Sequence, residues 1–185
     1  MFMISVEQFL KSNDIKYILH NHPAVYTCDE AEKYCGNIPG VACKNLFLRD
    51  QKCIRYFLVI LPAKKQTDFK KFAGLAGVDK VTFADSESLK EKLGLKSGAV
   101  SPFGLLNDKN QEVELYIDSE IYNADIVSFH PNVNTASLEL TKEMFHKFLQ
   151  VINHKNNVID LSAFAENHEC KLVDECDIAD TLSES

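Results

Sequence analysis

A chain of 185 residues with a 45% apolar share, 12 Phe and 6 Tyr can fill one compact core and is short for two. No run approaches the roughly 18 apolar residues of a membrane span and no leader peptide is visible, so a cytoplasmic protein without membrane contact is expected. The formal charge of −7 disfavours broad phosphate contact, yet seven acids and one base fall in residues 162–185, so residues 1–161 are near neutral and composition neither supports nor excludes RNA.

Ser5-Val6-Glu7-Gln8 reads as a capping box, with Ile4 and Phe9 at the spacing of a hydrophobic staple, and opens a helix over about 5–13. Residues 15–19 read as a short strand. Thr27 to Glu30 forms a second capping box, and Gly36 is a natural stop for the helix that follows. The apolar runs 46–48 and 56–61, separated by a polar spacer, predict a hairpin whose strands are buried on both faces. Thr67 is expected to cap a helix carrying Phe69, Phe72 and Ala73. Residues 81–84 read as a short strand, and Asp85 as the cap of a helix with Leu89 and Leu93 one turn apart. Strands are predicted at 113–117, 126–129 and 135–140, then a helix over 141–150 that buries Phe145, Phe148 and Leu149.

Strands and helices alternate, but several strands adjoin through short turns. That pattern predicts an α/β fold with a mixed sheet and packed helices, not a doubly wound parallel sheet. One domain is expected over residues 1–161, with 162–185 as an acidic, flexible tail. The six cysteines include no CxxC pair and read as reduced thiols, so neither a disulfide framework nor a metal site is expected.

Four segments carry polar residues that a core does not need. His22-Pro23-Ala24-Val25-Tyr26 leads into the second helix. Lys44-Asn45 stands at the entrance of the apolar run Leu46-Phe47-Leu48, where a lysine equally serves as an apolar stem with an exposed ammonium. Gly98 to Gly104, with Ser101, Pro102 and Phe103 between, permits a sharply bent backbone that approaches a ligand closely, or an ordinary turn. His130-Pro131-Asn132-Val133-Asn134-Thr135 follows a strand, and its histidine is equally a structural hydrogen-bonder.

Taken together, KNLFLRD from Lys44, the GxxxP spacing of Gly98 to Pro102 running on into Phe103-Gly104, and HPNVNT from His130 resemble the YbaK-type aminoacyl-tRNA deacylases. The similarity spans roughly residues 5–161 and is greatest to the stand-alone prolyl-tRNA editing branch. It implies a single α/β domain with a mixed, strongly curved sheet and a cleft for the tRNA acceptor end. It further implies that Lys44 is tied to hydrolysis, with Asn45 beside it in the motif. The Gly98–Pro102 loop would contact the aminoacylated terminal adenosine, and His130 would line the same cleft.

The expected activity is hydrolysis of a small amino acid, alanine first, from proline tRNA. No cofactor is needed, because an aminoacyl ester is already activated. The partners are the aminoacylated tRNA and, as a further question, prolyl-tRNA synthetase. Lys44 would stabilise the developing oxyanion, and backbone amides of the Gly98–Pro102 loop would add donors. Ser101 is the one candidate nucleophile, and Asn134 a candidate contact. Val25, Tyr26 and Phe103 are candidate walls of a pocket that accepts Ala and refuses Pro. Three rivals remain: the same fold acting on Cys or Ser, a non-catalytic tRNA-binding module, and a metal hydrolase using His20, His22 and a thiol. The last is disfavoured by reading the two imidazoles as diverging.

Overall fold

The computed structural model describes residues 5–25 and 28–161, and only the backbone of residues 28, 29, 31 and 32. Helix α1 (Val6–Ser12) starts where the Ser5 hydroxyl accepts the Gln8 N–H at 3.1 Å, as the capping box requires, and buries Val6 and Leu10. Its staple partner Ile4 lies outside the described residues, as does the Thr27 cap of α2 (Cys28–Cys35). Strand β1 (Ile18–Asn21) starts later than its apolar pattern suggests. Ile15 explains the shift. Asp14 takes a positive φ of 52° and the Ile15 N–H returns to the Leu10 carbonyl, which turns Ile15 into the core as a post-helix contact and not as a strand residue.

Strands β2 (Val41–Asp50) and β3 (Tyr56–Pro62) form the expected antiparallel hairpin, with Asn45 opposite Ile60 and Phe47 opposite Leu58. Burial on both faces holds for β3; β2 is fully buried only towards its far end. Helix α3 (Phe69–Ala76) is capped by Asp68, whose carboxylate accepts the Lys71 N–H, and not by Thr67. Strand β4 (Val81–Phe83) and helix α4 (Ser86–Leu93), capped by Asp85, match their patterns. A 3-10 turn (Pro102–Leu106) leads to β5 (Val113–Asp118), α5 (Ser119–Asn123), β6 (Ile126–Phe129), β7 (Ala136–Thr141), α6 (Lys142–Ile152) and β8 (Asn156–Ile159).

The strand order is β1-β7-β6-β2-β3-β5-β8, with β4 also on β2, and the pairings are both parallel and antiparallel. The mixed sheet carries a core on each face. Phe47, Leu58, Ile60 and Leu115 meet Leu10, Leu93 and Phe148 from the helices on one side. Leu48, Phe57, Val59 and Leu61 meet Phe72 and Ala73 of α3 on the other. Strand β2 is the hub: it runs along β3 on one edge, while its other edge meets β6 at Val41 and Ala42 and β4 at Leu48 to Asp50. Gly40 makes the first of these junctions possible. Its φ is +94°, and a Cβ there would overlap the Ile126 carbonyl. No helix among the described residues is long and apolar enough to cross a membrane.

A buried ion pair fastens the start of β5 to the segment before β8. Asp108 accepts the N–H groups of Glu112 and Val113 and meets His154 Nε2 at 3.3 Å. Burial opposes the charge on both side chains, but the contact with His154 and the two N–H groups hold Asp108 below its ordinary 3.8. The same contact holds His154 above its ordinary 6.5 despite burial. The pair therefore stabilises the fold fully between those ordinary values. It weakens as pH falls through the depressed Asp108 value, and as pH rises through the elevated His154 value. Thermal melts should show a loss of stability from pH 6.5 to 8.5 that is absent in His154→Gln. Equal slopes in the two proteins would remove this pair as the cause.

Candidate functional site

Side chains alternate across a strand. On β2, Cys43 and Phe47 belong to the face of the larger core, so Asn45 shares that face and Lys44 shares the opposite one with Leu46 and Leu48. Strand β6 runs parallel to β2, with Val41 level with Val127 and Ala42 level with Ser128. Two residues on from that last pair come Lys44, still within β2, and His130, just past the end of β6. The pairing stops at Ala42 and Ser128, so they stand at the fork where the two strands part. Strand β7 extends this face: Ser128 lies opposite Glu139, which puts Ser137 level with His130, and β1 sets His20 opposite Ser137. The result is a polar face beside the smaller apolar core.

Lys44 is half-buried and has no hydrogen-bond or ion-pair partner among the described residues. Burial pushes its pKa below the ordinary 10.5, with no carboxylate to restore it. A sheltered, uncompensated ammonium is suited to receive an anionic group. His130 offers the complementary chemistry. Its Nδ1 lies 2.9 Å from the Ala136 carbonyl, and a carbonyl only accepts, so the proton sits on Nδ1 and Nε2 keeps a free lone pair. Burial, aided by the nearby His22 imidazole, lowers its pKa below 6.5, so the ring is neutral at pH 7.

One loop joins the segment at this fork, and a second is tied to the opposite face of β2. His22 N–H donates to the Thr135 carbonyl and Val25 N–H to the Asn134 carbonyl, which joins the His22–Val25 segment to the His130–Thr135 segment. The Asn45 amide donates to the Val100 carbonyl at 3.1 Å and so ties β2 to the Gly98–Pro102 bend. That donation fixes which amide atom is oxygen, and this Oδ1 is buried without a partner among the described residues, as is Oδ1 of Asn132. A buried acceptor without a donor costs about 1–3 kcal/mol, a cost that a ligand donor removes. Gly98 is exposed with φ +81°, and a Cβ there would touch nothing, so this glycine serves the backbone turn.

Residues 22–148 match the family described as the aminoacyl-tRNA editing domain. The chain belongs to that family. The Prolyl-tRNA editing protein ProX of Acetoanaerobium sticklandii is 37% identical over 147 residues, covering 80% of this chain and 90% of that protein. The Prolyl-tRNA synthetase associated domain-containing protein 1 of Danio rerio is 30% identical, covering 80% and 82% respectively. The fold is shared with a crystal structure described as a candidate trans-editing enzyme for prolyl tRNA synthetase, at a TM-score of 0.62, 20% identity, and coverage of 86% and 98%.

In this editing domain the residues singled out from sequence fall into three groups. Lys44 and His130 border the fork, Asn134 lies in the loop joined to it, and Asn45 and Gly98 belong to the opposite face of β2 and the bend tied there. A second group belongs to the supports. Ser101 is 0% exposed, its hydroxyl accepts the Phe103 N–H at 3.2 Å, and its carbonyl accepts the Gly104 N–H, so it caps the 3-10 turn and is not presented as a nucleophile. Pro102 is buried beside it. Phe103 is 1% exposed, edge-on to Phe129 and Phe148, which makes it a core residue that seats the bend and not a pocket wall. Gly104 leaves room for Leu95, whose side chain a Cβ would meet at 2.7 Å. Val25 is 6% exposed, held inside by the Asn134 carbonyl. Tyr26 alone forms the third group: it lies outside the described residues.

The expected divergence of His20 and His22 is corrected by the strand geometry. Residues two apart on a strand share a face, and the two rings reach Glu139 and Ser137 on that one face. Each is committed to its partner, His20 Nε2 at 2.7 Å from the Glu139 carboxylate. Among the described residues no group of three His, Cys, Asp or Glu side chains is arranged to hold a metal. Sequence reasoning also passed over Ser137 and Asn132. The first looks like an outward residue of an alternating strand, and the second sits inside the quoted motif, with a left-handed φ of 64° that only the structure reveals. A hollow of about 380 Å³ lined by Cys53, Tyr56, Glu91, Lys92 and Glu112 lies at the far end of the hairpin, away from this chemistry.

Proposed function

We propose that this editing domain hydrolyses the ester linking alanine to proline tRNA, acting in trans on tRNA that a synthetase has mischarged. The observation that carries this reading is the sheltered Lys44 ammonium, unpaired among the described residues, and the neutral His130, the two residues that follow the last pair of β2 and β6 by the same two steps. The named relatives support proline tRNA as the substrate carrier, and prolyl-tRNA synthetase follows as the enzyme whose errors are corrected. The catalytic unit is residues 1–161.

In this mechanism water attacks the ester carbonyl carbon while His130 Nε2 takes its proton. The carbonyl oxygen becomes an oxyanion beside Lys44, and the unpaired position of the ammonium means that no existing ion pair has to break first. Collapse of the tetrahedral intermediate expels the ribose oxygen, which recovers the proton from His130. Alanine and its tRNA leave, and no covalent enzyme intermediate is formed, consistent with the buried, capping role of Ser101. Tyr26 is the proposed wall of the small-residue sieve.

Alanine is smaller than proline, so a proline pocket cannot refuse it sterically, whereas a second site shaped to alanine can refuse proline. Each methylene is worth about 1–3 kcal/mol, or 10–200-fold. Single-turnover deacylation of proline tRNA charged with Ala, Pro, Ser or Cys tests the proposal. Alanine should be released about 100-fold faster than proline. Equal loss of Ala and Pro overturns size rejection, faster loss of Ser or Cys reassigns the amino acid, and no loss of any overturns hydrolysis.

A further inference from the structure

Resting on that reading of the site, we infer that His22 is a positioning residue for His130, held by Ser137 and the Pro23 carbonyl so that its ring buttresses the neighbouring imidazole. The two rings lie 5.7 Å apart between centroids and are tilted by 57°. Their hydrogen bonds differ in a way that separates the roles. His22 has both ring nitrogens engaged, Nδ1 at 2.8 Å from the Pro23 carbonyl and Nε2 at 3.0 Å from Ser137 Oγ. His130 has one engaged and one without a partner among the described residues.

The proton positions follow from the partners. A carbonyl accepts only, so His22 Nδ1 carries the hydrogen; Nε2 of the neutral ring is then an acceptor, and the Ser137 hydroxyl donates to it. The Ser137 oxygen in turn is the hydrogen-bond partner of the Cys35 thiol at the end of α2. The chain Cys35–Ser137–His22 thus links the helix, strand β7 and the loop after β1, and its last ring rests on His130. The backbone bonds from His22 to Thr135 and from Val25 to Asn134 fix the same two loops from outside the rings. A residue saturated in this way cannot accept a proton from water without breaking a bond, so it supports the base and is not the base.

Among the described residues, the other titratable groups on this polar face are the His20–Glu139 pair of β1 and β7, Cys35 of α2 and Lys44 of β2. The His22 ring adds to burial in holding the His130 pKa down. That opposition acts only when the His22 ring is protonated, and an amide, which never carries the charge, removes it, so the acid limb of kcat/KM moves to higher pH. Misplacement of a reacting group by about 1 Å costs up to about a hundredfold in rate.

Single-turnover deacylation of Ala-charged proline tRNA across pH 5–9 by wild type, His22→Gln, Ser137→Ala and the double variant tests the inference. His22→Gln should lower kcat roughly tenfold to a hundredfold, leave KM within about twofold, and raise the pH of the acid limb. Because Ser137 acts through His22, the double variant should be no slower than His22→Gln alone. If His22→Gln is misfolded by circular dichroism, Ser137→Ala alone should still lower kcat with KM unchanged. An unmoved acid limb with wild-type kcat, or losses that multiply in the double variant, overturns the positioning role. Failure of wild type to deacylate would instead overturn the function on which it rests.

Discussion

Lys44→Ala is expected to cut the single-turnover rate of deacylation by about 10²–10³-fold, the loss measured when one oxyanion donor is removed from a hydrolytic site. The expectation rests on what surrounds the ammonium. Among the described residues no carboxylate neutralises it, and burial already lowers its pKa. Its desolvation is therefore uncompensated in the free protein, and truncation removes that cost. The fold should melt at the same temperature or slightly higher, while activity falls by that factor. Lys44→Arg is not expected to rescue, since a planar fork of five donors replaces a compact point charge in a half-buried position. The pH profile carries the same signature. Rate should fall on the alkaline side as the ammonium deprotonates below the ordinary lysine range, and this limb should be missing from the residual activity of Lys44→Ala. A variant within about fivefold of wild type would remove Lys44 from the mechanism.

Lys44 and His130 were legible in the sequence because each is a residue that its local pattern does not call for: a lysine entering an apolar strand and an imidazole just past one. Their relation came only from the family resemblance, which implies a shared cleft; neither residue's own surroundings signal it. It is created by the parallel pairing of β2 with β6, which rests on Val41–Val127 and Ala42–Ser128, residues far apart in the chain whose side chains give no local signal. The link from Cys35 through Ser137 to His22 was hidden for a similar reason, as the polar positions of β7 look solvent-facing until α2 is laid over them. Elements with both periodicity and a cap were readable, as α4 with Asp85 and α6 with Phe145 and Phe148 show. Strand β8 was not. Its Asn156 and Asn157 carry no apolar alternation, and it exists because β5 offers a free edge and the Asn157 amide donates to the Leu115 carbonyl. Ser101 and Phe103 show the converse limit: a motif marks residues that matter without separating those that touch a ligand from those that hold the loop.

Gly40→Val should uncouple the site from the fold that builds it. The residue adopts φ +94°, where a β-branched side chain is strained, and its Cβ would occupy the space of the Ile126 carbonyl. Backbone strain of this kind costs about 1–3 kcal/mol, and displacing β6 adds to it. A total of about 3 kcal/mol corresponds to a fall in Tm of roughly 6–12 °C for a chain of this size. The functional loss should exceed what instability explains. Gly40 immediately precedes Val41, so relief of the clash pushes β2 and β6 apart at the two residue pairs that lead directly to Lys44 and His130. A shift of about 1 Å between them costs up to about a hundredfold, measured at a temperature where the variant is still folded. Gly77→Ala is the control. Its φ is +68°, but a Cβ there meets nothing within 4 Å, so it should lose stability through backbone strain alone and retain full deacylation. If folded Gly40→Val matches that control in rate, the fork between β2 and β6 does not set the geometry of the reaction.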